Sequence, residues 1–472
     1  MKLVGTAQYA ERQVANPVVR YYDLLRVVGQ RIDEQRAART SDSTPASAAS
    51  GFIPAFELPA LDDRWTRYFS ATPMGVLELA EYRGHALALL DLMGNEWTRT
   101  TKSGASGTMV ARAVHAIRTG GQPIVIITPT SGNKGTALRD AVARAVHLGL
   151  VEPHELRIVM VVPRPSAGKL RRGFLDDDPT FAAYNPVVVA GVTTGAEVKQ
   201  FGADAVELAA GLAAEHGYRL WYSLDLDNYR FGDSMRAFVE AECAPSLPAA
   251  PARVHAHPVS SAFGLLGYEL GLTVLDRAGA AHGLQPPARH PAFLLVQHLA
   301  TPDMVLSLRH GSFGREGMPA YHRESDGGPY LQRDDPSFPY ATDALDERID
   351  ATFYTATPAT STEINGIVAR HGGTGIVVSR RECVDRYHEI RAVLAPWREL
   401  PADPAQLREW SLVMGMCGLL NAIDRGLLAP DAEVMLHGSG CFWDDLVPPR
   451  HPDAVTVAST PADLVGLINR SL

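Results

Sequence analysis

The feature that most constrains this chain is a repeated alternation of short apolar runs with small-residue loops and helical stretches. PIVIITP (123–129), RIVMVVP (157–163), NPVVVAG (185–191), RLWYSL (219–224), RVHAHPV (253–259), PAFLLVQHL (291–299) and EVMLHGSG (433–440) are such runs. Continuous β-branched runs of this length read as strands covered on both faces. Between them lie helical patterns such as TALRDAVARAVHLG (136–149), the segment Ala203 to His216, and LLGYELGL (265–272). Strand, loop and helix in that order predict an α/β fold with open, mostly parallel sheets and flanking helices. Ligands of such sheets bind at the carboxyl ends of the strands.

At the amino-terminal side, residues 1–60 read as an extension. A helical pattern from Val18 to Gln35 is followed by the small, polar linker ARTSDSTPASAASG (38–51). The body begins near Trp65. The stretch 310–350, rich in Gly, Pro and Asp and without periodicity, reads as a surface excursion or a lid. A net charge of -9 and the absence of a basic run argue against a nucleic-acid partner. The opening MKLVGTAQYAERQ is too polar for a signal peptide, and no run of about 18 apolar residues predicts a membrane span. The four scattered cysteines form no CxxC pair, which fits reduced thiols in a cytoplasmic protein. Only five of the 44 basic residues are lysines: Lys2, Lys102, Lys134, Lys169 and Lys199. Chemistry that needs an amine therefore has few positions open to it.

Four loops carry the candidate chemistry. In TPTSGNKGTA (128–137), small residues between a strand and a helix let backbone approach a ligand, and the helix start favours a carboxylate or phosphate. An ordinary capped turn has the same look. In RTTKSGASGTMVARAV (99–114), Lys102 stands between hydroxyls and an apolar helix; a solvated lysine is the plain alternative, whereas a nucleophilic one needs burial to disfavour its ammonium. In VSSAFGLLGYELG (259–271), Ser260, Ser261, Ala262, Phe263 and Gly264 form a strand-to-helix loop able to cradle a phosphate. In MLHGSGCFWDD (435–445), His437 and Ser439 stand at a strand end.

Taken in this order, the four loops resemble the fold-type II (tryptophan synthase β-like) enzymes that use pyridoxal 5'-phosphate (PLP), and threonine synthases most closely. The resemblance runs from about Pro73 to Asp445. VPRPSAGKLRR, SLDLDNYRFGDSMRAFVEAE, and GIVVSRRECVDRY followed by the late strand, resemble further segments of that family. The resemblance implies two domains, a large PLP-binding one (61–104 and 225–472) and a small one (105–224), with the cofactor in the cleft between them. It implies that Lys102 holds the cofactor as a Schiff base and then serves as base. Ser260, Ser261, Ala262, Phe263 and Gly264 would bind the phosphate. Thr130, Ser131, Gly132 and Asn133 would hold the substrate carboxylate, with Asn133 also contacting the cofactor. His437 by strict alignment, or Ser439 by chemistry, would face the pyridine nitrogen. Arg99 and Lys134 flank these loops as candidates for an anionic substrate tail, with solvated loop charges as the plainer alternative for both. Three motifs depart from the family: TTKSGAS around the lysine, SSAFG in the phosphate loop, and HGSG at the end. The implied activity is β- or γ-elimination or replacement on an amino acid, by a cytoplasmic homodimer. A catalytically silent PLP-fold binding or regulatory protein is the alternative. A dinucleotide-binding protein ranks last, since no GxGxxG or GxxxxGK[ST] follows a strand.

Overall fold

The computed structural model describes residues 10–38, 52–245, 253–352 and 355–471. Part of the expected extension and most of its linker, 1–9 and 39–51, lie outside the described residues.

The apolar runs form strands of two sheets. In chain order these are β1 (Glu11–Val14), β2 (Met74–Glu78), β3 (Leu87–Asp91), β4 (Ile124–Pro129), β5 (Leu156–Pro163), β6 (Val187–Ala190), β7 (Arg219–Tyr222), β8 (Arg253–Pro258), β9 (Ala292–His298), β10 (Gly373–Val378), β11 (Glu433–His437) and β12 (Thr456–Ala458). The larger sheet has the order β1-β2-β3-β11-β8-β9-β10, and the smaller β12-β6-β5-β4-β7. Every pairing in the smaller sheet is parallel. In the larger sheet, β1 and β2 add an antiparallel edge to a parallel centre. This is the α/β architecture with mostly parallel sheets that the alternation predicts.

Both faces of the parallel strands are covered, which is why their sequences do not alternate. All six residues of β4 and all eight of β5 are buried. Even Arg157 within β5 is buried; its guanidinium lies over the rings of Tyr184 and Tyr218, at 4.2 and 5.0 Å.

Helices fill the layers: α1 (Tyr22–Ala38), α2 (Lys102–Gly120), α3 (Asn133–His147), α4 (Gly195–Glu215), α5 (Leu226–Asp233), α6 (Met235–Cys243), α7 (Phe263–Ala278), α8 (Ser411–Asp424) and α9 (Pro461–Ser471). The described part of the N-terminal segment is built into the larger half. β1 pairs with β2, and Leu24, Leu25, Val28 and Ile32 line one buried face of α1. A Cβ on Gly29 would lie 2.2 Å from the Phe56 carbonyl oxygen, so glycine lets this helix approach the chain so closely.

Residues 124–222 supply four strands of the smaller sheet, and β12 returns to it from the C-terminal side, beside β6. In the stretch 310–350, two-residue strands at His322–Arg323, Tyr330–Leu331 and Ala341–Thr342 form a small antiparallel sheet. Its tip is exposed, while Gln332, Ser337 and Phe338 are buried and Asp350 reaches inward to Lys169. Among the described residues, no helix is long and apolar enough to cross a membrane. All four cysteines are buried free thiols.

Candidate functional site

The carboxyl ends of the parallel strands open on a cavity of about 350 Å³. From the smaller sheet come Thr130, Ser131, Asn133 and Lys134, where β4 gives way to α3. From the larger come Ser260 to Gly264, between β8 and α7, and His437 and Ser439 at the end of β11. Lys102 stands between the two sets as the first residue of α2. Four loops far apart in sequence thus meet at one place.

The backbone pins Lys102. The Thr101 amide donates to the Ser439 carbonyl at 2.9 Å, and Thr100 bridges to Gly440. The Lys102 Nζ lies 5.4 Å from the centre of the Tyr229 ring. Burial holds its pKa below the usual lysine value; Asp233 pulls it up and Arg236 pushes it further down. The neutral amine, the nucleophilic form, is favoured by this setting.

Lys134 and Lys199 line the same cavity. Lys134 Nζ donates to the Ser223 hydroxyl at 3.2 Å. Burial, then the charges of Lys199 and Lys102, hold its pKa well below the ordinary value. Lys169 is buried next to the site, with its ammonium donating to Asp350, Thr352 and Glu409. Lysine scarcity was the signal in the sequence: the four described lysines all gather here, and Lys2 lies outside the described residues.

The Asn133 side chain is oriented by neighbours of fixed polarity. Its amide nitrogen donates to Glu409 Oε2 at 2.9 Å, and its oxygen accepts from the Arg171 guanidinium. A carboxylate accepts and a guanidinium donates, so the amide has a single orientation. Gly132, with a φ of 124°, turns the chain into α3 but does not itself line the cavity.

In the loop after β8, the Ser260 and Ser261 hydroxyls each donate to Thr355 Oγ1 at 3.0 Å. Ala262 adopts the left-handed conformation, with a φ of 51°. A Cβ on Gly264 would come within 2.5 Å of the Arg236 guanidinium. Glycine at this position is what lets a buried arginine sit directly under the loop and the start of α7.

Arg236 is held by Asp233 and by Thr101 Oγ1, both at 2.8 Å. It also reaches His437 Nδ1 at 3.4 Å. His437 in turn meets His255 at 2.7 Å, and His255 meets Glu240 at 3.2 Å. Glu240 also accepts from Tyr268 at 2.6 Å and from Arg253 at 2.5 Å. Burial pulls the Glu240 carboxyl upward, but His255 and Arg253 overcome it and hold the group at about 2. His437 and His257 are driven well below the usual histidine value, first by burial and then by neighbouring positive groups.

The named residues and the cavity lining do not coincide in two respects. Arg99 does not line the cavity. It takes a left-handed backbone conformation, with a φ of 43°, and its charged neighbours are Arg398, Asp91 and Glu96. Closeness to Lys102 in sequence thus does not put a residue on the cavity wall. The second concerns omissions: Tyr229, Arg236, His257, Lys199 and Thr355 line the cavity and were not singled out. Tyr229 and Arg236 fall in SLDLDNYRFGDSMRAFVEAE, a segment that was picked out only as a whole.

A family model described as "Family of unknown function (DUF6002)" matches residues 13–472. No curated protein matches by sequence. Among solved structures, threonine synthase from Escherichia coli is similar at 14% identity, with a TM-score of 0.50 over 96% of this chain and 90% of that one. PLP-bound threonine synthase from Brucella melitensis is similar at 12% identity, with a TM-score of 0.51 over 92% and 90%. At such identity the likeness is one of fold: the chain has the fold-type II architecture of these enzymes.

Proposed function

Because this chain belongs to the family of unknown function matched over residues 13–472, and carries the fold of threonine synthases, we propose that it is a PLP-dependent lyase or synthase acting on an amino acid. The reaction is elimination or replacement at Cβ or Cγ. The observation that carries this reading is Lys102: a half-buried amine whose pKa desolvation lowers, on the wall of a cavity that faces a phosphate-type loop.

The residues present fit the cofactor. The cavity volume of about 350 Å³ is in the range of small-molecule sites. The Ser260–Gly264 loop opens α7, and its backbone leans on Arg236. A helix start with a guanidinium beneath it suits a phosphate dianion. When bound, PLP withdraws electrons from the substrate Cα, and the protein selects which bond breaks.

This chain's own residues would do the rest. Lys102 would hold the cofactor, and its Nζ would later take and return the Cα proton. Ser260, Ser261 and the amides of Ala262, Phe263 and Gly264 would hold the phosphate. Thr130, Ser131 and Asn133 would hold the substrate carboxylate, with Gly132 setting the turn. Lys134, joined by Lys199, would hold an anionic tail. The same proposal includes a cytoplasmic homodimer.

Absorbance tests the reading. Purified protein given PLP should turn yellow, and Lys102→Ala should lose that band. Amino acids that are substrates should then change the spectrum and release product. A colourless protein that takes up no PLP would refute the proposal. Uptake without any response to a panel of amino acids would favour a silent binder.

A further inference from the structure

Three histidines meet under the cavity. His255 and His257 lie two residues apart on β8 and so share one face of the sheet. His437 on the neighbouring β11 comes one residue after the Leu436–Ala256 pair, abreast of His257. Their ligand atoms all lie within 4.8 Å of one another, and all three side chains are buried. Such a cluster invites two readings, a metal site or a chain of protons.

Hydrogen-bond polarity decides between them. Arg236 can only donate, so His437 Nδ1, at 3.4 Å, accepts. His437 Nε2 then carries the hydrogen and donates to His255 Nδ1 at 2.7 Å. His255 Nε2 donates in turn to Glu240 Oε1 at 3.2 Å. His437 Nε2 and His255 Nδ1 stand 2.7 Å apart, a hydrogen-bond separation and closer than two nitrogens sit around a tetrahedral ion held at about 2.0–2.1 Å from each. The third ring, His257, lies tilted by 34° against His437 at 3.8 Å between centres, and its Nε2 is buried without a hydrogen-bond partner.

Charge counting shows what the chain can hold. Arg253 faces two carboxylates, Glu240 and Glu433, while Arg236 faces Asp233. Tyr268, from α7, adds a neutral donor to Glu240. Counted with Lys102, which also faces Asp233, as the neutral amine, this group carries one negative charge more than positive, which one extra proton on the histidines would balance. With that proton, His255 donates at both nitrogens, to Glu240 and to His437. His437 Nδ1 then bears hydrogen, turns from Arg236 and needs an acceptor in the cavity that it lines.

We propose that Glu240, His255 and His437 form a proton-holding relay whose outer end meets the pyridine nitrogen of bound PLP. The proposal rests on the PLP reading above and selects His437 over Ser439. The proton passes from His437 Nδ1 to the ring nitrogen. His437 regains one at Nε2 from His255 Nδ1, and His255 keeps its Nε2 hydrogen on Glu240. Positive charge moves from the histidines to the ring, with no other reactant. Glu240 and His255 are positioning residues, and His437 is the one that touches the cofactor. A protonated ring draws electrons more strongly than one facing a hydroxyl.

The test is nitrogen NMR of the full chain loaded with PLP labelled at the ring nitrogen. The wild type should show a protonated ring at pH 7. Glu240→Gln, His255→Gln and His437→Ser should each lower the protonated fraction at least tenfold, while Ser439→Ala should leave it unchanged. Three variants guard against one that fails to fold. An unprotonated ring in the wild type, or a shift caused by Ser439→Ala alone, overturns the relay. Without cofactor, imidazole N–H signals from His255 and His437 should be seen and should vanish in Glu240→Gln; their absence in the wild type also overturns it. Stoichiometric metal lost in His257→Ala would do the same. A chain seen by these signals in a protein that takes up no PLP would strike the functional reading, and the relay's role with it; a chain with bound PLP but an unprotonated ring would strike the relay alone.

Discussion

The two walls of the cavity handle buried charge in opposite ways. Under the larger sheet, acids and bases are matched: Glu240 with Arg253 and His255, and Asp233 with Arg236. On the side of the smaller sheet, Lys134 donates to a hydroxyl, and the charges acting on it are those of Lys199 and Lys102. A wall of paired acids and bases fixes geometry. A cationic wall gains by meeting an anion, because an opposite charge offsets the desolvation cost of a buried ammonium. The first wall thus suits a cofactor ring held in one orientation, and the second suits a charged substrate.

The comparison breaks first at Lys102, the amine between the walls. Lys102→Ala should lower turnover by about a thousandfold or more, the scale of a lost acid–base group, measured by product release under saturating PLP. Retained turnover would remove the amine from the mechanism. Next comes the cationic wall. Lys134→Met should raise KM for an amino acid with an anionic tail by about ten- to a hundredfold, the scale of one charged hydrogen bond. KM for a neutral-tailed analogue should hardly move. Equal effects on both would show that Lys134 acts on structure and not on charge.

The matched wall is sharpened by Gly264→Ala. The added methyl meets the Arg236 guanidinium at 2.5 Å, so the loop or the arginine must shift. Overpacking of this kind costs about 1–3 kcal/mol, readable in urea unfolding, and PLP affinity should fall with it. The smallest effect is a pH shift. Asp233 raises the Lys102 pKa and Arg236 lowers it. Asp233→Asn removes the first influence and releases the second, so both changes act downward. The pH midpoint for PLP uptake, followed by absorbance, should therefore move to lower pH; a move upward would contradict the assignment.

Much of the fold was legible because its signals are local. β4 and β5 read as buried strands from the short apolar runs Ile124–Ile127 and Ile158–Val162, and their bounds agree with the quoted segments to within a residue. The four loops were legible for the same reason: each is a small-residue turn between a strand and a helix. What joins distant residues was not. Glu240, His255 and His437 meet only because β8 and β11 are neighbours in the sheet, and no spacing in the sequence states that register. Arg99 shows the converse: three residues of chain separate it from Lys102, yet it does not line the cavity. Lys199 is the fifth residue of α4, away in the chain from the other loops, and only the rarity of lysine could have pointed to it.

The return of β12 to the smaller sheet bears on how the protein is made. Val187–Ala190, the strand β6, is bonded on one side to β5 and on the other to Thr456–Ala458. During synthesis, its outer row of amides and carbonyls stays bare until the distant partner leaves the ribosome. An uncapped row of three valines and an alanine is a template for unwanted strand addition. Nascent chains are therefore most at risk of sticking to one another in the interval between these two segments, long after the rest of the half-molecule has been translated.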